Sequence, residues 1–165
     1  MKSTIRLGSL AGIPIGIHYS WFVVLALFSW SLAARLLPDR YPDWAASTYW
    51  ATGVVAALLL FVSVLVHELA HSVVARARGS PVEGITLFLL GGVSNLQAEA
   101  KAAQDEFFIS AVGPAASLLL FGLLWAAYQA VPDRGAPVAA VVWYLSVINL
   151  VLALFNMLPA FPLDG

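Results

Sequence analysis

The chain has 165 residues, 61% hydrophobic and 10% charged, with a mean hydropathy of +0.89, whereas soluble domains carry about a quarter of charged residues. This balance excludes an ordinary soluble domain and indicates a membrane protein with several spans of about 20 residues each. The formal net charge of −1, with no basic run, removes nucleic acid as a partner, and the lack of Cys restricts any metal site to His and carboxylates.

In chain order, the stretch Ile5 to Ile17, with Gly8, Gly12, Pro14 and Gly16, reads as an extended piece. The first span runs from about Ile17 to Leu37, with Trp21 and Trp30 towards its ends. Its length, and the Gly/Pro segment separating it from Lys2 and Arg6, argue against a cleaved signal peptide. Pro38, Asp39, Arg40, Pro42 and Asp43 are expected to break the chain before a second span from about Trp50 to Ala75.

The segment 82–97 is too short to cross as a helix and too apolar for an ordinary loop. Its β-branched residues and central Gly91-Gly92 predict a hairpin or strand pair. At membrane depth such a pair must be covered by protein or line a wet cavity. An interfacial loop is the alternative for both extended pieces.

A third span from about Phe107 to Val131 and a fourth from about Val138 to Leu158 flank the turn 132–137. The expected class is therefore an all-α polytopic membrane protein of four transmembrane helices, with short membrane-associated β segments at the N-terminus and about 82–97. Residues 1–165 read as a single domain. Gly53 with Ala57, and Gly113 with Ser117, have the spacing that lets helix backbones approach closely in lipid. Pro114 predicts a kink or local opening within the third span.

Alternating the spans places Lys2, Arg6, Arg76, Arg78 and Lys101 on one face and Arg35, Arg40 and Arg134 on the other. The positive-inside bias makes the first face, and with it the N-terminus, cytoplasmic.

The chemistry-bearing pattern is His67-Glu68-Leu69-Ala70-His71, set inside the apolar second span. Residues i and i+4 lie on one helix face, about 6 Å apart along the axis. Two imidazoles can thus meet one zinc ion, with Glu68 turned about 100° towards a bound water. Ionisable groups are costly in hydrocarbon and seldom persist there without a function or partner.

A catalytic zinc usually takes three protein ligands. Asp164 is the only carboxylate near the last span, on backbone broken by Pro159 and Pro162, although by itself an Asp there is more often a simple turn residue. Asn156 is a candidate donor to a developing oxyanion or to the substrate backbone, or a polar helix terminator. Asn149 has only a structural reading, and His18 is more simply structural than metal-binding.

These residues carry a family resemblance. His67-Glu68-x-x-His71, followed by Asn156-x-x-Pro159-x-x-Pro162-Leu163-Asp164-Gly165, resembles the two signatures of the site-2 protease family of intramembrane zinc metalloproteases. The similarity extends to Gly12-Ile13-Pro14-Ile15-x-x-His18-x-x-Trp21, to Leu90-Gly91-Gly92-Val93 and to Gly113-Pro114-x-x-Ser117. The early stretch is similar to the bacterial and archaeal branch that carries cytoplasmic CBS modules.

The resemblance implies a core built from the second, third and fourth spans, one Zn2+ on His67, His71 and Asp164, and Glu68 as general base. It also implies membrane-anchored regulatory proteins as substrates, cleaved within a transmembrane helix, and a prokaryotic cell membrane as the location. The family continues past the Asp-Gly pair at which this chain stops, so the chain is expected to be the front part of a longer protein.

A substrate helix must unwind before attack, and the segment around Gly91, Gly92 and Asn95 is the expected receiver of the unwound strand. Self-association as a homo-oligomer is left open. The rival function is a membrane metal transporter or sensor using the same ligands, but transport pathways spread ionisable residues over several helices. Here the first and third spans contain no acidic residue.

Overall fold

The computed structural model describes residues 5–88, 91–96 and 103–157. Among the described residues, four helical segments are long and apolar enough to cross a membrane: Ser20–Arg40, Ala46–Ala77, Gln104–Ala130 and Pro137–Asn156. Many of their large apolar side chains are exposed, among them Phe107, Leu119, Leu123 and Val151. Lipid is the natural solvent for such a surface.

The first span differs from expectation at both ends. Ile17 belongs to a strand, and helix α1 begins only at Ser20 and runs to Ser31. The His18 side chain marks this start: its Nδ1 accepts from the Ser20 amide (3.3 Å) and lies 2.8 Å from the Ser20 hydroxyl, satisfying one of the N–H groups that a helix start leaves open. Pro38 does not end the span. A π-helical turn at Leu32–Leu36 precedes it, and the short helix α2, Leu37–Arg40, carries the chain through it. A wider turn has room for a proline ring that would clash with the carbonyl four residues back in a regular α-helix.

The second span is α3, Ala46–Ala77, with 32 residues. At 1.5 Å per residue it is about 48 Å long, against about 30 Å of hydrocarbon, so it must tilt or project beyond the bilayer. Gly53 lets it cross α1 closely: a Cβ there would lie 3.0 Å from the Ser29 carbonyl oxygen and 3.2 Å from the Ala33 Cβ. The third and fourth spans are α4, Ala103–Ala130, and α5, Pro137–Asn156, and α4 packs against both α3 and α5. One apolar core joins Leu32 and Leu37 to Ala56, Ala57 and Leu60 of α3 and to Ala140, Tyr144 and Leu145 of α5.

Both extended pieces are β-hairpins of one sheet. Strands β1 (Ile5–Leu10), β2 (Ile13–Ile17), β3 (Val82–Phe88) and β4 (Gly91–Leu96) lie in the order β1-β2-β3-β4. The β1–β2 pair is antiparallel, with Leu10 opposite Ile13. Its two-residue turn places Ala11 at φ 50° and Gly12 at φ 73°, the left-handed pair that a tight hairpin favours. Strands β2 and β3 run parallel, with Ile15 opposite Ile85, and β3 and β4 are antiparallel, with Leu87 opposite Gly92. Ile13, Ile17, Ile85 and Leu87 pack on Trp21, Val24 and Phe61. The sheet is thereby held against α1 and α3, beside the helix that carries the two histidines.

Contacts at the two ends of the bundle sort the basic residues. At one end Arg76 donates to the Ala11 carbonyl (2.7 Å) and Arg78 pairs with Asp105 (2.6 Å). At the other, Trp44 donates to the Gly135 carbonyl (2.9 Å), and the Arg40 guanidinium sits 3.9 Å above the Trp143 ring.

Candidate active site

His67 and His71 are both buried on α3, one turn apart on the face towards α4 and α5. Their Nε2 atoms are 3.2 Å apart. Two nitrogens on one tetrahedral zinc, at about 2.0 to 2.1 Å each, would stand about 3.3 Å from one another. The pair therefore has the spacing of two ligands on one ion.

The opposite edge of each ring is engaged by α4. His71 Nδ1 lies 2.6 Å from the Ile109 carbonyl oxygen. A carbonyl only accepts, so Nδ1 carries the proton and Nε2 of the neutral ring offers its lone pair. His67 Nδ1 lies 2.8 Å from the Ser117 hydroxyl, which is fully buried. Outer partners of this kind orient metal-ligating imidazoles.

Space for the rings comes from Gly113. A Cβ at that position would come within 2.5 Å of His71 Cε1 and 2.7 Å of Cδ2, and closer still to Nε2. Ile109, Gly113 and Ser117 thus form one stripe of α4 facing the histidines. The sequence marked Gly113 and Ser117 as a helix contact, but their partners are catalytic-type side chains and not merely a neighbouring backbone. Pro114, inside α4, cannot donate to the Ser110 carbonyl four residues before it; the carbonyl engaged by His71 is that of Ile109, one residue earlier.

Glu68 is half-buried on the same helix. By helical geometry it projects between the histidine face and the side of α3 where Leu65 and Leu69 pack on the sheet core. From α5, Asn156 Nδ2 reaches to 3.4 Å from His67 Nε2 while also donating to the Leu152 carbonyl (2.9 Å). Two turns earlier on the same face, Asn149 Nδ2 donates to Ser63 Oγ of α3 (3.0 Å). That cross-helix contact had no signal in the sequence beyond an Asn inside an apolar helix.

Asp164 lies outside the described residues, and among the described residues no third His, Asp or Glu joins the pair. His18 is held at the start of α1, its amide donating to the Leu87 carbonyl (2.8 Å). Gly91, Gly92 and Asn95 fall on β4, the last strand in the sheet order, and α3 packs against that strand.

This arrangement, two imidazoles with converging Nε2 atoms, fixed from behind by α4 and enclosed by apolar helices, suits a divalent cation of borderline softness. The profile of peptidase family M50 matches residues 55–133, which contain α3 from its third turn, β3, β4 and α4. A protein of Mycobacterium tuberculosis named "Putative zinc metalloprotease Rip3" is 46% identical over 168 residues, covering all of this chain and 42% of that protein. One of Synechocystis sp. named "Putative zinc metalloprotease sll0528" is 44% identical, covering all of this chain and 43% of that protein. The chain thus spans less than half the length of these relatives. Among solved structures, the site-2 protease from Methanocaldococcus jannaschii superposes with a TM-score of 0.70 at 34% identity, covering 98% of this chain and 67% of that one.

Proposed function

Because the chain belongs to the site-2 protease family, peptidase family M50, we propose that it carries the catalytic core of an intramembrane zinc endopeptidase. The observation that carries this reading is the 3.2 Å approach of His67 Nε2 to His71 Nε2, with both Nδ1 atoms engaged by α4. His67, His71 and Asp164 would hold the zinc, which would supply Lewis-acid polarisation of the scissile carbonyl and make the attacking water more acidic.

Glu68 accepts a proton from the attacking water and returns it to the leaving amide nitrogen. Asn156, beside His67, is suited to donate its amide to the carbonyl oxygen as negative charge develops there. Gly91, Gly92 and Asn95 lie on an edge strand, to which an unwound substrate segment adds by main-chain hydrogen bonds. The substrate is a membrane-anchored regulatory protein cut within its transmembrane helix. The alternative of metal transport is not favoured, because the buried imidazoles form one fixed pair instead of a path.

The location is a prokaryotic cell membrane with the N-terminus in the cytoplasm. Two observations support that orientation: the β1–β2 turn, Arg76, Arg78 and the start of α4 meet at one end of the bundle, and Arg40 and the Trp44–Gly135 bond lie at the other.

The test combines zinc analysis with cleavage of a transmembrane-helix substrate by detergent-purified wild type, Glu68→Gln and Asp164→Ala. Glu68→Gln is expected to keep its zinc and lose about 100- to 10,000-fold in rate, and Asp164→Ala to lose both. Cleavage by Glu68→Gln at the wild-type rate would remove the assigned base, and ion flux through the wild type in vesicles would favour transport.

A further inference from the structure

Asn149 is fully buried, yet only half of its amide is used. Its Nδ2 donates to Ser63 Oγ (3.0 Å) and to the Leu145 carbonyl (2.8 Å), while Oδ1 has no hydrogen-bond partner among the described residues. A buried amide with an unpaired oxygen lowers stability, and a side-chain hydrogen bond between helices in lipid returns little. An apolar side chain of the same shape would serve the packing better, so stability does not account for this residue.

Its position offers an account. Ser63 stands one turn before His67 on the same face of α3, and Asn149 stands two turns before Asn156 on the same face of α5. The two helices are therefore joined by side chains at two successive levels, Ser63 to Asn149 and His67 to Asn156, the second at 3.4 Å. Between the levels Ala153 is fully buried, so this stretch of α5 places only a methyl group in the contact, whereas Leu60, Tyr144 and Leu145 pack nearer the other end of the helices. Apolar helices slide past one another at small cost, and a single polar contact can select one register.

We propose that Asn149 and Ser63 are a positioning pair that sets the axial register of α5 on α3, and so aligns Asn156 with His67. This rests on the protease reading for its consequence in turnover, but not for its consequence in metal binding.

The experiment compares Asn149→Leu, Ser63→Ala and the double variant of the full chain in detergent, reading thermal midpoint, the rate of zinc release to a chelator, and kcat and KM on a transmembrane-helix substrate. Asn149→Leu is expected to melt no lower than wild type, yet release zinc about 10-fold faster and lose about 10-fold or more in kcat, with KM unchanged, as outer-shell changes do. Ser63→Ala should show the same losses and the double variant no further ones. A stable Asn149→Leu with wild-type zinc release and kcat overturns the proposal, as do losses that simply multiply in the double variant. If Asn149→Leu fails to fold, Ser63→Ala, which removes one oxygen, decides alone: wild-type rates overturn the proposal. A wild type that holds zinc but cleaves nothing defeats the protease reading, while the zinc-release comparison still decides the positioning role.

Discussion

The imidazole of His71 occupies the volume that a side chain at Gly113 would need, a Cβ there falling within 2.5 Å of Cε1. The contact is with the ring itself and not with the end of a flexible chain, so an added methyl must displace the ring or part α3 from α4. Gly113→Ala is expected to lower zinc affinity by at least about 10-fold, within the range of changes that misorient a ligating histidine. Chelator competition measures it, and wild-type affinity would show that the helices separate freely.

Ser117 acts on the other ring. Removing its hydroxyl leaves His67 Nδ1 buried without that partner, which frees the ring to rotate and to change tautomer. Ser117→Ala should cost about 10- to 100-fold in zinc affinity or cleavage rate, with little change in thermal midpoint. An unchanged zinc affinity and rate would mean that packing alone orients the imidazole.

Gly53 offers a control at a distance from the metal. It lies 14 residues before His67 in the sequence, where α3 crosses α1, and the Ser29 carbonyl and Ala33 leave no room for a larger side chain. Gly53→Val should destabilise the protein by about 1 to 3 kcal/mol through overpacking, while zinc content per folded molecule stays the same. Loss of zinc without loss of thermal stability would contradict the separation of the two regions.

On β4, Gly92→Pro removes a backbone donor and fixes φ near −65° on the strand that is proposed to receive substrate. Turnover of a membrane substrate should fall below detection, with zinc content unaltered. Normal cleavage by this variant would exclude β4 as the docking edge.

How much of this was legible beforehand follows from where each signal resides. The four spans are visible because length and apolarity are properties of contiguous residues, and their ends moved by only a few positions. The exceptions have local causes: at Ile17 a strand outcompetes the helix, and at Pro38 a π-turn admits a residue that ordinarily stops one. The Gly-rich segments read as strands, but the parallel pairing of β2 with β3 did not, because it joins pieces separated by the first two spans.

The sequence by itself determined that two imidazoles share one face of an apolar helix with a carboxylate beside them, since five consecutive residues and the pitch of an α-helix suffice for that. Only the tertiary structure decided which atoms hold those rings. The Ile109 carbonyl, the vacancy at Gly113, the Ser117 hydroxyl and the Asn149–Ser63 bridge reside on other helices, and a backbone carbonyl or a missing side chain leaves no chemical mark in a string of letters. Their roles appear when α4 and α5 are laid against α3, because orientation of a metal ligand depends on what lies behind it in space and not on its neighbours along the chain.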